Sequence, residues 1–304
     1  MRALVAAAVS AALTFSMVGC STSQDDNDPP DGVAVVASTD VWGSVAQAVV
    51  GDHATVTSIM TGTVADPHSF EASPADAAAV SDASLVVYNG GHYDHWIDQV
   101  LQNAPDVTRV DAYSLTPVPE NATETPNEHV FYDLPTVKAV ADRVAELLTE
   151  ADSVNAADYA ANAERFGSEI DTLAMAQRAV GQAHPGASVV STEPVAYYAL
   201  RNAGITDKTP PSFARSVEHG GDPAPADVAA MLDLITTRQV SAVVVNSQTA
   251  SPVTRQIADA ATEASLPVIT VTETLPEGSD YLQWQRATID QIAAQLDAAR
   301  SPGE

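Results

Sequence analysis

The chain has 304 residues, 45% of them hydrophobic, and a formal net charge of −27 from 40 acidic against 13 basic residues. That length and apolar content support buried cores and two domains of ordinary size, which excludes a disordered protein. A surface this acidic repels phosphate backbones and anionic head groups, which argues against nucleic acid as a partner and for cations.

The first residues carry an export pattern. Arg2 is followed by an apolar and small-residue run from Ala3 to Val18, then Gly19 and Cys20. The run is too short and alanine-rich for a stable span and fits a signal peptide over residues 1–20. Cys20 is the only cysteine, so neither a disulfide framework nor a thiolate cluster is expected. Met17-Val18-Gly19-Cys20 resembles the lipobox of bacterial lipoproteins, in which the cysteine is acylated and becomes the new N-terminus. Ordinary secretory cleavage beside a chance cysteine is the alternative. Residues 21–32 are polar, acidic and proline-bearing, and read as a disordered tether.

From residue 33 the chain alternates strand and helix patterns. Strands are predicted over 33–38, 55–60, 85–88 and 107–111, and helices over 74–81 and 94–101. Thr39-Asp40 reads as the cap of a helix running to Val50, and Asp94 as the cap of the helix that follows it. Asp66-Pro67-His68-Ser69-Phe70-Glu71 lies between the second strand and the second helix. Pro67 pushes Asp66 out of the helical region, while Ser73-Pro74-Ala75-Asp76 reads as N-cap, first-turn proline and acidic capping partner. His68 is thereby held on a short, stiff loop, as a ligand is presented; a loop histidine bonded only to backbone is the plain alternative. After an aperiodic loop over 115–127, Asn127-Glu128-His129-Val130-Phe131-Tyr132-Asp133 repeats the layout, with a histidine just before a helix started by Pro135.

Residues 155–182 contain no proline and are dominated by helix formers, so a connecting helix is expected there, between an N-terminal lobe at 33–154 and a C-terminal lobe at 183–304. Strand and helix patterns then resume. A strand at 187–191 runs into Thr192-Glu193-Pro194 and a helix to Ala203, 210–225 reads as a proline- and glycine-rich loop, and a helix follows at 226–236. A strand at 242–245, a helix begun by Ser251-Pro252, a strand at 266–271 running into Thr272-Glu273, and a closing helix at 281–298 complete the chain. This alternation predicts an α/β protein of two lobes, each a parallel sheet flanked by helices. Glu193 and Glu273 both leave the C-terminal ends of buried strands, the edge at which open α/β sheets bind ligands.

Each of His68, His129, Glu193 and Glu273 taken singly is explained by a cap or an ion pair. Jointly they would form a cage of two nitrogens and hard oxygens if the halves faced each other. Such a cage without thiolate suits a divalent ion such as manganese, zinc or ferrous iron.

The His68 and His129 stretches, Ser191-Thr192-Glu193 ahead of Tyr197-Tyr198, and Thr272-Glu273 ahead of Tyr281 resemble, in order, the metal-binding receptors of ABC importers for zinc and manganese. These are the cluster A-I lipoproteins related to pneumococcal surface antigen A. The resemblance implies two α/β lobes joined by one long rigid helix with the ion between them. It implies His68, His129, Glu193 and Glu273 as ligands, Cys20 as the lipidated anchor, and a permease as partner. A monomer on the outer side of the cell membrane is expected. Glu193 stands where manganese receptors carry glutamate and many zinc receptors a third histidine, which shifts the expected preference towards manganese. Glu273 stands where the family usually has aspartate, one methylene shorter. The histidine-rich loop of many zinc receptors has no counterpart; the loop before His129 holds Glu120, Glu124 and Glu128 instead.

His92 and His95 read as surface or capping residues, with a weak second metal site as the alternative. His53 and His184 read as turn residues, His219 beside Asp222 as a loop residue, Glu71 as structural, and Trp96 and Trp284 as core. The rivals to a metal receptor are an extracytoplasmic metal-dependent hydrolase and an adhesin or organic-solute binder with a vestigial site. HExxH, GxSxG and Walker patterns are all missing from the sequence, which weakens the enzyme reading.

Overall fold

The computed structural model describes residues 33–62, 67–118, 125–218 and 220–300; Cys20, the leader and the tether lie outside them. The first half forms β1 (Ala34–Thr39), α1 (Asp40–Val50), β2 (Thr55–Met60), α2 (Pro74–Ser81), β3 (Leu85–Tyr88), α3 (His95–Asn103), β4 (Thr108–Asp111) and α4 (Leu134–Ala151). All pairings are parallel, in the order β2-β1-β3-β4. Every residue of β3 is buried, as an apolar run covered on both faces must be. The start of α2 is the capping box read from the sequence: the Ser73 hydroxyl accepts from the Asp76 N–H, and the Asp76 carboxylate accepts from the Ser73 N–H.

The long helix α5 spans Ala156–Ala183, 28 residues. Tyr159, Ala163, Phe166, Ile170, Leu173 and Val180 are buried along it, a stripe at three- and four-residue spacing. It packs on α1 and α4 and on two helices of the second half. Gly181 is required near its end: a Cβ there would sit 1.5 Å from the Ala203 carbonyl oxygen.

The second half forms β5 (Ser188–Ser191), α6 (Tyr197–Ala203), β6 (Thr206–Asp207), α7 (Pro211–Glu218), α8 (Pro225–Thr236), β7 (Ala242–Asn246), α9 (Pro252–Glu263), β8 (Val268–Val271) and α10 (Tyr281–Arg300). Its sheet, also parallel, runs β6-β5-β7-β8. One apolar cluster joins the halves, with Val35, Val137 and Tyr159 in the same core as Val244, Ile269 and Leu296.

Three local expectations are corrected. The stretch 210–225 is not all loop, because Pro211 opens α7 at a first-turn position that needs no N–H and Phe213 anchors it, fully buried. Thr39 and Asp40 make no side-chain cap to α1; the Asp40 carboxylate accepts instead from the N–H groups of Gly62 at 2.7 Å and Leu275 at 3.0 Å. Asp94 occupies the N-cap position of α3 but turns away from the helix, accepting from the N–H groups of Asn89 and Gly90. In both cases N–H groups outside the helix claim the carboxylate, and a donor left unpaired away from water costs more than an open helix end.

Candidate metal centre

Three adjacent strands of the second sheet end in polar side chains. β5 leads to Glu193, β7 ends in Asn246, and β8 leads to Glu273, so Asn246 lies between the two glutamates. Its side-chain amide donates to Glu193 Oε2 at 2.5 Å and to Glu273 Oε1 at 2.7 Å. Thr249 Oγ1 also donates to Glu193 Oε2, at 2.5 Å.

From the first half, His68 sits in a single helical turn, Pro67–Ser69, and His129 directly precedes another, Val130–Tyr132. His68 Nε2 and His129 Nε2 stand 3.4 and 3.5 Å from Glu273 Oε2. Ligand atoms of His68, His129 and Glu273 all lie within 4.8 Å of one another. Glu193 stands outside that group of three and reaches it through Asn246. Asn127 Oδ1 accepts from the His129 N–H and faces His129 Nδ1 at 3.0 Å. An acceptor there keeps the proton on Nδ1 and leaves the Nε2 lone pair facing Glu273.

Glu273 Oε2 is buried and has no hydrogen-bond partner. A carboxylate oxygen and two imidazole nitrogens thus meet with no donor between them, an arrangement relieved by a cation or by protons on the rings. Burial alone would raise the Glu273 carboxyl, whereas protons on the two rings, donated to it by His129 and His68, hold it well below the usual carboxylate range. Burial pushes Glu193 up to about 7 against its donors Thr249 and Asn246, and the charge of Glu273 adds to the rise.

The segment carrying Glu273 is held by the first half on every residue. Tyr132 donates to Thr272 O, Tyr93 to Glu273 O and Thr274 to Gly62 O, and Leu275 donates to Asp40. Tyr93, fully buried, also sets its ring edge-on 4.8 Å from that of His68. A cavity of about 650 Å³ opens beside the centre, lined by His68, His129, Glu193, Asp222, Gln248 and Thr249 among others.

The other candidates fall elsewhere. His92 and His95 are exposed; His53 Nε2 pairs with Asp158 at 2.8 Å, and His184, capping α5, stands 3.4 Å from Asp297. Glu71 is exposed, and Trp96 and Trp284 are buried. Asp66, Glu120, Glu124 and His219 lie outside the described residues, whereas Glu128 Oε1 approaches His68 Nδ1 to 3.7 Å. Asn246, Thr249, Tyr93 and Asp40 were not singled out from the sequence as parts of the site. Asn246 had a signal, since it ends a buried valine run as Thr192 and Thr272 follow theirs.

Two parallel-sheet lobes bridged by one long helix, with nitrogen and oxygen donors meeting between them, define a two-lobed metal-binding protein. Residues 35–295 match the family described as zinc-uptake complex component A, periplasmic, and the chain belongs to this family. It is 26% identical over 259 residues to the manganese-binding lipoprotein MntA of Bacillus subtilis, covering 82% of each chain. It is 19% identical over 299 residues to the manganese ABC transporter substrate-binding lipoprotein PsaA of Streptococcus pneumoniae serotype 4, covering 92% of this chain and 94% of that one. The fold matches the periplasmic zinc-binding protein TroA of Treponema pallidum with a TM-score of 0.74 at 18% identity, over 87% of this chain and 99% of that one.

Proposed function

We propose that this chain is an extracytoplasmic receptor that captures a divalent transition metal, manganese or zinc, and delivers it to the permease of an ABC importer. His68, His129, Glu193 and Glu273 would hold the ion, with 33–154 and 183–304 as lobes and 155–182 as connector. The observation that carries this reading is the buried Glu273 Oε2 facing two Nε2 atoms without a donor. Family membership and the names of the relatives supply the transport context. A catalytic metal needs an open position and a general base, whereas His68, His129, Glu193 and Glu273 acting together would close the shell, so a hydrolase fits less well.

Purified protein with metal stripped and returned should bind one manganese or zinc ion in a calorimetric titration, and His68→Ala should weaken that binding at least about 100-fold, the upper end of what an outer partner costs. A variant binding as tightly as the parent removes His68 from the ligand set.

Anchoring follows from Cys20, the only cysteine, at the end of the apolar leader. Among the described residues no helix is long and apolar enough to cross a membrane. Cys20→Ala is therefore expected to move the protein from the membrane fraction to the soluble extracytoplasmic fraction. Unchanged fractionation would refute lipidation at this residue.

A further inference from the structure

We propose that Asp40 is a positioning residue that slows release of the bound metal, by pinning the Glu273 segment of the second half to the end of β2 in the first. The proposal rests on the reading of Glu273 as a ligand and deepens it by naming a residue that governs exchange at that site.

Asp40 is the first residue of α1, yet its two carboxylate oxygens reach N–H groups from opposite halves of the molecule. Oδ2 accepts from Gly62 at 2.7 Å and Oδ1 from Leu275 at 3.0 Å. Gly62 follows β2 on the stretch that leads to His68, and Leu275 lies two residues beyond Glu273. Thr274 closes the joint, its Oγ1 donating to the Gly62 carbonyl at 2.8 Å. Gly62 is thus gripped through both its N–H and its carbonyl, and what grips it is the main chain beside Glu273 and the carboxylate that holds that chain.

Glu273 is 1% exposed and its Oε1 accepts from Asn246, so its side chain has little room to turn. Withdrawal from the two histidines then requires its main chain to move. Of the four hydrogen bonds that tie this segment to the first half, three join neutral groups: Tyr132 to Thr272 O, Tyr93 to Glu273 O and Thr274 to Gly62 O. The fourth, from Leu275, ends on a carboxylate. Bonds to an ionised acceptor are roughly twice as strong as neutral ones, which makes Asp40 the strongest single hold on the segment.

The test follows zinc dissociation from the loaded full chain into excess chelator, together with the unfolding midpoint. Asp40→Asn keeps the size of the side chain but sets an NH2 group against one of the two N–H donors. It should release zinc about tenfold faster, the lower end of what a group orienting a ligand costs, because Asp40 acts through the main chain. Thr274→Val removes the second bond of the joint and should speed release by less, while Thr274→Ser, which keeps the hydroxyl, should hold the parent rate. This pair decides the matter if Asp40→Asn does not fold. Ser44→Ala is the control. Ser44 accepts from the Tyr281 N–H at 2.9 Å, a bond from α1 to the second half that touches neither Gly62 nor the Glu273 segment, so its loss should lower the midpoint without changing release. An Asp40→Asn protein that loses stability but releases zinc at the parent rate overturns the proposal, as does equal acceleration by Ser44→Ala. Glu273→Ala separates the two levels. If it holds zinc as the parent does, the ligand reading fails and the proposal with it; if it loses zinc while Asp40→Asn and Thr274→Val release at the parent rate, only the role of Asp40 falls.

Discussion

Glu273→Ala is expected to lose metal binding more completely than any other single substitution in the cleft. Its carboxylate lies within reach of both histidines, at 3.4 and 3.5 Å, and it is 1% exposed. Removing it leaves two imidazoles and the Asn246 amide with no anion between them, and the second-half share of the centre falls to Glu193, which stands apart. The loss should exceed the roughly 10–100-fold produced by removing a group that only orients a ligand. Glu273→Asp should retain more binding than Glu273→Ala, because it keeps the charge at the cost of one methylene. Competition titration of the three proteins checks the order; Glu273→Ala binding as well as Glu273→Asp would place the anionic ligand elsewhere.

The largest effect on stability is expected from Gly181→Ala. The new methyl would lie 1.5 Å from the Ala203 carbonyl oxygen, a backbone atom at the end of α6, so α5 and α6 must separate. Overpacking typically costs about 1–3 kcal/mol and more where the neighbour cannot yield, which sets this substitution at the upper end. Gly43→Ala gives the contrast: its nearest atom, 2.0 Å away, is the Ser58 hydroxyl oxygen, which rotates aside cheaply. Urea denaturation should lower the midpoint of Gly181→Ala well below that of Gly43→Ala. Equal midpoints would show that α6 moves freely on α5.

Most of the fold is legible in the sequence because its strands are continuous apolar runs bounded by turn residues, such as Leu85–Tyr88 before Asn89-Gly90-Gly91. The histidines and glutamates stand out jointly and not singly: each follows or precedes a regular element, where one polar residue alone could be a cap or an ion pair. What is hidden depends on the third dimension. α7 hides behind two prolines that look like loop punctuation until Phe213 is seen in its core. Asp40 and Asp94 look like caps, and their actual partners are buried N–H groups that no local pattern announces. The hydrogen bonds that Asn246 and Thr249 make to Glu193 and Glu273 join residues that spacing along the chain does not bring together.

The stapling of Thr272–Leu275 onto the first half bears on how the protein comes into being. The bonds that hold this segment join residues 140, 180, 212 and 235 positions apart. A chain emerging from its N-terminus therefore possesses both His68 and His129 for nearly half of its synthesis with no Glu273 to set against them. Closing such distant pairs comes late in folding, after local strands and helices have formed. The centre is thus expected among the last features to be assembled, and an incomplete chain ending before Glu273 has the two histidines without the carboxylate they face.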